Sequence, residues 1–192
     1  ADVIGTATGL KLVVLGKAEF FVDGRRINFS ETTSYKGMMY SGVPNMASSF
    51  GYTNADYKEF YTYIAGGTTP VDVSDQRFFQ NTPEFTLNSS VTWSMDLAGG
   101  RLALTPAVTM RSSIHMFEYV SPLDQQGYVL VDASANWTSG DDRFTVGVHG
   151  RNLFDERYRV GGYYFPGALY GDSVIGYYGA PRTVSVTAGV KF

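Results

Sequence analysis

The residues with most to offer a ligand lie in one Gly-rich stretch, Tyr158 to Tyr178, where Tyr163, Tyr164, Phe165, Tyr170, Tyr177 and Tyr178 cluster. Aromatic rings with hydroxyls grip sugars or chelates by stacking and hydrogen bonding, and glycines let the backbone adapt to the guest. A second stretch of this kind runs from Tyr57 to Phe79, with Tyr61, Tyr63, Phe78 and Phe79 around Gly66-Gly67. For both, the competing reading is a loop whose rings pack on their neighbours. Acid–base chemistry has few carriers. The two histidines, His115 and His149, are too far apart for a local metal motif and have no cysteine partners, so no metal site is expected. Ser134, His149 and Asp132 could form a nucleophilic set beside Arg151, but a hydrogen-bonded polar wall offers the same residue types, and that reading is preferred. No catalytic residue is expected. Gly66-Gly67 and Gly161-Gly162 lack the spacing and Lys of a phosphate loop, Asp72 and Asp75 fit no calcium loop, and no cofactor is expected.

The elements that must carry these residues alternate with period two. From Thr183 to Phe192 every even position is apolar and every odd one is polar or Gly, so one face can meet an apolar medium and the other water. The spacing predicts a hairpin of Tyr128 to Thr138 with Arg143 to Asn152 through Ser139 to Asp142, setting Asp132 opposite His149 and Trp137 opposite Phe144. A second hairpin joins Phe85 to Asp96 and Arg101 to Arg111 through Leu97 to Gly100, setting Asp96 against Arg101 and Trp93 against Leu104. Pro106 removes a ladder donor and predicts a bulge or a locally weakened pairing. Upstream, Asn45 to Asn54 reads as a strand paired with Tyr35 to Tyr40, and Gly9 to Val22 holds one or two more. Short links (41 to 44, 97 to 100, 139 to 142) alternate with long ones, the order of an outer-membrane barrel with short inner turns and long external loops. Trp93 and Trp137 stand beside the short turns, where amphipathic rings suit a lipid headgroup level.

Bulk composition narrows the classes. The 192 residues allow one domain. Charged residues make up 17%, below the roughly 25% of ordinary soluble domains, while Gly, Tyr and Phe are plentiful. A net charge of -3 gives no footprint for nucleic acid, and the lack of cysteine removes disulfides and thiolate metal sites. No run of residues is long and apolar enough for a transmembrane helix, a criterion to which strands are invisible.

The segment Asn152-Leu153-Phe154-Asp155-Glu156-Arg157-Tyr158, the entry Gly179-Ala180-Pro181-Arg182 and the terminal Phe192 together resemble the C-terminal end of TonB-dependent outer-membrane receptors. Ser49 to Phe60, Pro83-Glu84-Phe85 and Gly127 to Ser134 extend the resemblance over residues 45 to 192, while residues 1 to 44 match poorly. It implies an all-β fold, an antiparallel transmembrane β-barrel or the C-terminal portion of one with about eight strands, as one domain over 1–192. A complete member carries a plug and about 22 strands, so the resemblance and the missing initiator Met imply a fragment. It also implies uptake of a scarce nutrient (a siderophore, vitamin or oligosaccharide), no enzymatic activity, and a Gram-negative outer membrane. The implied partners are outer-membrane lipid, the small-molecule nutrient, the barrel-assembly machinery through the strand ending at Phe192, and TonB only through the missing N-terminal region. Alternatives are a free-standing eight-stranded barrel (adhesin, small porin or structural anchor), an outer-membrane enzyme, and a soluble lipid-binding barrel.

Overall fold

Alternating sequence becomes a wall of strands with two unlike faces. The structure is a computed structural model that describes residues 21–28, 31–35, 39–43, 45–64 and 66–192. Two short hairpins come first, β1 (Phe21–Val22) with β2 (Arg25–Arg26), and β3 (Ser34–Tyr35) with β4 (Met39–Tyr40). After β5 (Met46–Tyr52), β6 (Tyr61–Tyr63) pairs with β7 (Pro70–Asp72). Next come β8 (Phe85–Val91), β9 (Trp93–Leu97), β10 (Gly100–Arg111), β11 (Tyr128–Ser139) and β12 (Phe144–Arg151). The hairpin β13 (Arg159–Phe165) with β14 (Ser173–Tyr178) precedes β15 (Thr183–Val190).

The main sheet has seven strands in the order β15-β12-β11-β10-β8-β5, with β9 also on β10, every pair antiparallel. The chain is therefore all-β and antiparallel. Because side chains alternate across the pleat, the register rows sort themselves by face. The row Val186, Val148, Ala135, Leu104, Trp93 lies on one side and Ser185, His149, Ser134, Thr105 on the other. The apolar side is open over much of its width: Val186 is 70% exposed and Trp93 63%. Buried hydrophobics are few and lie mostly off the wall, with Ile114, Met116 and Leu123 forming a small cluster under the long loops.

Several sequence expectations change in detail. The Asp96–Arg101 and Trp93–Leu104 pairings stand as expected. The β11–β12 hairpin is slipped by two residues, so Ser134 lies opposite His149 and Trp137 opposite Val146. The cause is local. The Ser139 hydroxyl accepts from Phe144 N at 2.9 Å and donates to Asp141, whose carboxylate also accepts from Arg143 N at 3.2 Å, which holds Arg143 inside the turn. A slip of two keeps every side chain on its expected face. Of the two outcomes expected at Pro106 the weakened pairing is the one seen: β10 runs straight through it opposite Ala133, and Pro106 has no partner in the registers with β8 and β9. The interruption appears on the partner strand at Thr92, between β8 and β9, where the Thr92 and Thr105 hydroxyls bond at 3.0 Å. Tyr35 to Tyr40 is not the partner of Asn45 to Asn54: its ends pair with each other, and β5 pairs with β8. Of the expected strands in Gly9 to Val22, all but Phe21–Val22 lie outside the described residues.

Candidate functional site

Beyond the ends of β10, β11 and β12 the long connections knit together into one loop assembly. Its centre is Asp124. That carboxylate accepts from His115 Nδ1 at 2.7 Å, from the backbone N–H groups of Met116 and Ser121 at 3.2 Å, and from the Ser121 hydroxyl at 3.2 Å. Arg159 at the start of β13 donates its guanidinium to the carbonyls of Asp124 (2.9 Å) and Pro122 (3.1 Å), and its own N–H is held by the Gln125 side chain at 2.7 Å. Phe78 stacks on the His115 ring at 4.0 Å and donates its N–H to Glu118 O, tying in the stretch that follows β7.

Leu123 explains how the aromatic hairpin sits. It is the one fully buried large side chain among the described residues, and it presses on the bare face that Gly162 and Gly176 leave on β13 and β14. A Cβ at Gly162 would come within 2.8 Å of Leu123, so a residue with any side chain there would push the hairpin off its seat. One face of the hairpin is thus committed to packing and the other is free.

That division separates the six aromatics singled out by sequence. Tyr164 packs against the Ile114, Met116, Leu123 cluster. Tyr178 lies under the Arg157 guanidinium, 5.5 Å from its ring centre. Tyr163, Phe165 and Tyr177 are exposed, Tyr163 meeting Tyr177 edge-on at 6.0 Å and Phe165 stacked at 6.2 Å. Tyr170 stands at the tip, 6.1 Å from Phe165, in a turn shaped by Gly167 (φ 96°) and by Asp172, which accepts from Gly167 N at 2.6 Å. The open face therefore carries four rings able to stack on a planar or apolar guest. The second aromatic stretch makes its own cluster, Tyr57 stacked on Phe79 at 4.3 Å and Arg77 over Phe60 at 5.4 Å. There the Asp72 carboxylate takes N–H bonds from Phe60 and Ser74, which lowers its pKa below the ordinary carboxylate range.

The segment Asn152 to Arg182 that carries the sequence resemblance is a structural staple. Asn152 is 4% exposed with φ 49°. Its Oδ1 accepts from Glu156 N at 2.8 Å, its Nδ2 donates to Glu156 O and Ala180 O at 2.9 and 3.1 Å, and its N–H donates to Asp132 Oδ1 at 2.8 Å. Asp155 then accepts from Arg182 N at 2.8 Å. One side chain thus locks the exit of β12 to the entry of β15.

On the polar face an open hollow of about 650 Å3 is lined by Asp132, Ser134, His149, Arg151, Thr183 and Ser185. It does not assemble a nucleophilic set: Asp132 is engaged with Asn152 N, and His149 Nε2 bonds Thr187 Oγ1 at 3.3 Å. No group of three or more potential metal ligands occurs among the described residues. Leu123 and Asp124, which with Arg159 of β13 hold the assembly together, escape sequence reading because the connection from 112 to 127 has no period to betray them.

No family model matches the chain. In fold, it is similar to the crystal structure of the ferric yersiniabactin uptake receptor FyuA from Yersinia pestis, with a TM-score of 0.53 over 80% of this chain and 22% of that one, at 23% identity. In sequence, it is similar to the FAD-containing monooxygenase EthA of Mycolicibacterium smegmatis, 53% identical over 57 residues, 30% of this chain and 12% of the relative. The EthA of Mycobacterium tuberculosis is 40% identical over 108 residues, covering 46% of this chain and 22% of the relative. The chain thus spans less than a quarter of the length of either enzyme. These likenesses correct two expectations. The nutrient-uptake receptor is overturned as the function, and the absence of enzymatic character is overturned with it, because the high-identity relatives are enzymes. The resemblance to the receptors is retained at the level of fold.

The relatives' FAD does not fit the described residues. Dinucleotide folds set the pyrophosphate at the N-terminus of a helix that follows a Gly-rich turn after a strand. Here the described residues form strands and a three-residue 3-10 turn at Ser74–Gln76.

Proposed function

We propose that this chain is part of an enzyme of the FAD-containing monooxygenase kind, supplying a segment other than the one that holds the flavin. The identity of 53% over 57 residues carries this reading, since it far exceeds the 23% of the fold likeness. The wall serves as attachment: its apolar face rests against lipid of an outer membrane, with Trp93 and Phe144 near the short turns at headgroup level. The open face of the aromatic hairpin (Tyr163, Phe165 and Tyr177, with Tyr170 at its tip) binds a small apolar or planar molecule. The test is to purify the product of the longest reading frame that contains the chain. Flavin absorbance in the visible and oxygen consumption on adding a reductant are the expected result. A colourless protein that consumes no oxygen would remove the enzyme reading.

A further inference from the structure

The geometry points to the hollow on the polar face of the wall as a binding site for a small carboxylate, held by the Arg151 guanidinium among hydroxyls of three neighbouring strands. The inference is independent of the enzyme reading. Pockets for small molecules run from about 300 to 1,000 Å3, and the hollow, at about 650 Å3, falls inside that range. Register sets its floor. His149 on β12 lies between Ser134 of β11 and Ser185 of β15. Arg151, two residues further on and so on the same face, lies opposite Thr183. Three hydroxyls, an imidazole and a guanidinium therefore line one patch three strands wide, roughly 10 Å at the spacing of a sheet.

The chemistry of the guest follows from how the two charges of the lining are used. Arg151 is the one permanent cation there and Asp132 the one carboxylate. Because Ala133 pairs with Gly150, Asp132 and Arg151 hold neighbouring positions at the end of that ladder. Asp132 nevertheless accepts the Asn152 N–H at its Oδ1, 2.8 Å away. Among the described residues no hydrogen bond or ion pair takes up the Arg151 guanidinium. An open guanidinium fork beside hydroxyl donors matches the two oxygens of a carboxylate. Asp132 sets the charge that the site accepts: one negative charge is balanced by Arg151, whereas a second, as on a phosphate ester, would face Asp132 without a partner. Gly147 keeps the hollow open. A Cβ there would come within 2.7 Å of Asn136 Oδ1, Thr187 Oγ1 and His149 Nε2. The His149 ring, bonded to Thr187 Oγ1 at 3.3 Å, thus leans over bare backbone on the side away from Arg151.

Fluorine NMR of trifluorobutyrate added to the whole chain refolded in lipid, with trifluorobutyramide as its neutral counterpart, tests the site. Saturable line broadening is expected for the carboxylate and none for the amide. Acetate should displace the probe at a lower concentration than inorganic phosphate does. Arg151→Gln should weaken binding about tenfold, and Arg151→Lys, which keeps the charge without the fork, should fall between. Gly147→Ala pushes the His149 ring toward the hollow and should weaken binding with Arg151 intact. Asp132→Asn keeps an acceptor for the Asn152 N–H and should tighten it. Equal broadening of the amide, displacement by phosphate at a lower concentration than by acetate, or binding unchanged in Arg151→Gln would overturn the inference. The comparison of probes on the unaltered chain decides the matter even where a variant does not fold. None of these outcomes bears on flavin content or oxygen use, so the enzyme reading stands or falls separately.

Discussion

Replacing Asn152 by Ala removes three hydrogen bonds from a residue that is 4% exposed and leaves the Glu156 N–H and the Ala180 carbonyl without their partner. An unsatisfied buried donor costs about 1 to 3 kcal/mol, and the loss of the remaining bonds adds on the order of 1 kcal/mol. Ala also tolerates the left-handed conformation (φ 49°) less well than Asn, by about 1 kcal/mol. The sum is a destabilisation of about 3 to 5 kcal/mol. Asn152→Gly relieves the backbone term but not the hydrogen bonds, so it should recover about 1 kcal/mol of that loss. Asn152→Asp keeps an acceptor for Glu156 N and should fall between. Urea unfolding of the refolded chain in lipid, read by tryptophan fluorescence, measures all three. A loss below about 1 kcal/mol for Asn152→Ala, or equal losses for Ala and Gly, would refute the staple.

Val186→Lys should reduce folded yield in vesicles far more than Thr187→Lys, because a Lys at mid-depth on a lipid face costs roughly 2 to 4 kcal/mol while the polar face is hydrated; equal yields would refute the assignment of faces. Leu123→Ala should cost about 2 to 5 kcal/mol of local stability and free the aromatic hairpin, seen as faster hydrogen exchange in β13 and β14 with the wall unchanged. The hydroxyl of Ser139 and the N–H of Arg143 hold the Asp141 carboxylate below its ordinary pKa. A lowered folded-state pKa stabilises the turn above the unfolded value and is lost as pH falls through the folded one. Protection of the Phe144 amide should therefore persist at neutral pH and weaken in acid below the ordinary Asp range, and Asp141→Asn should abolish that pH dependence.

Faces were legible in the sequence where alternation is strict, and registers only where the turn is simple. The link between β9 and β10 is a tight turn with Ala98 (φ 51°) and Gly99 (φ 70°) at its centre, and two such residues fix one pairing. At Ser139 to Arg143 side-chain hydrogen bonds decide how many residues the turn consumes, and no period reports them. The Asn152 to Arg182 pattern was legible as a resemblance, and the structure gives its reason in four hydrogen bonds. It speaks for a barrel-type fold and says nothing of chemistry, which is why reading a transport function from it failed. The aromatic residues were all visible, but not which of them face outward. That depends on Leu123 seating itself over Gly162, a contact between segments about forty residues apart.

The central claim is that a monooxygenase-like sequence is present here without the flavin's cradle, and FAD titration of the purified whole chain in lipid tests it directly. The flavin's own fluorescence reports binding. The account predicts no saturable change at any ratio of FAD to chain. Saturable quenching that ends at one FAD per chain would contradict it.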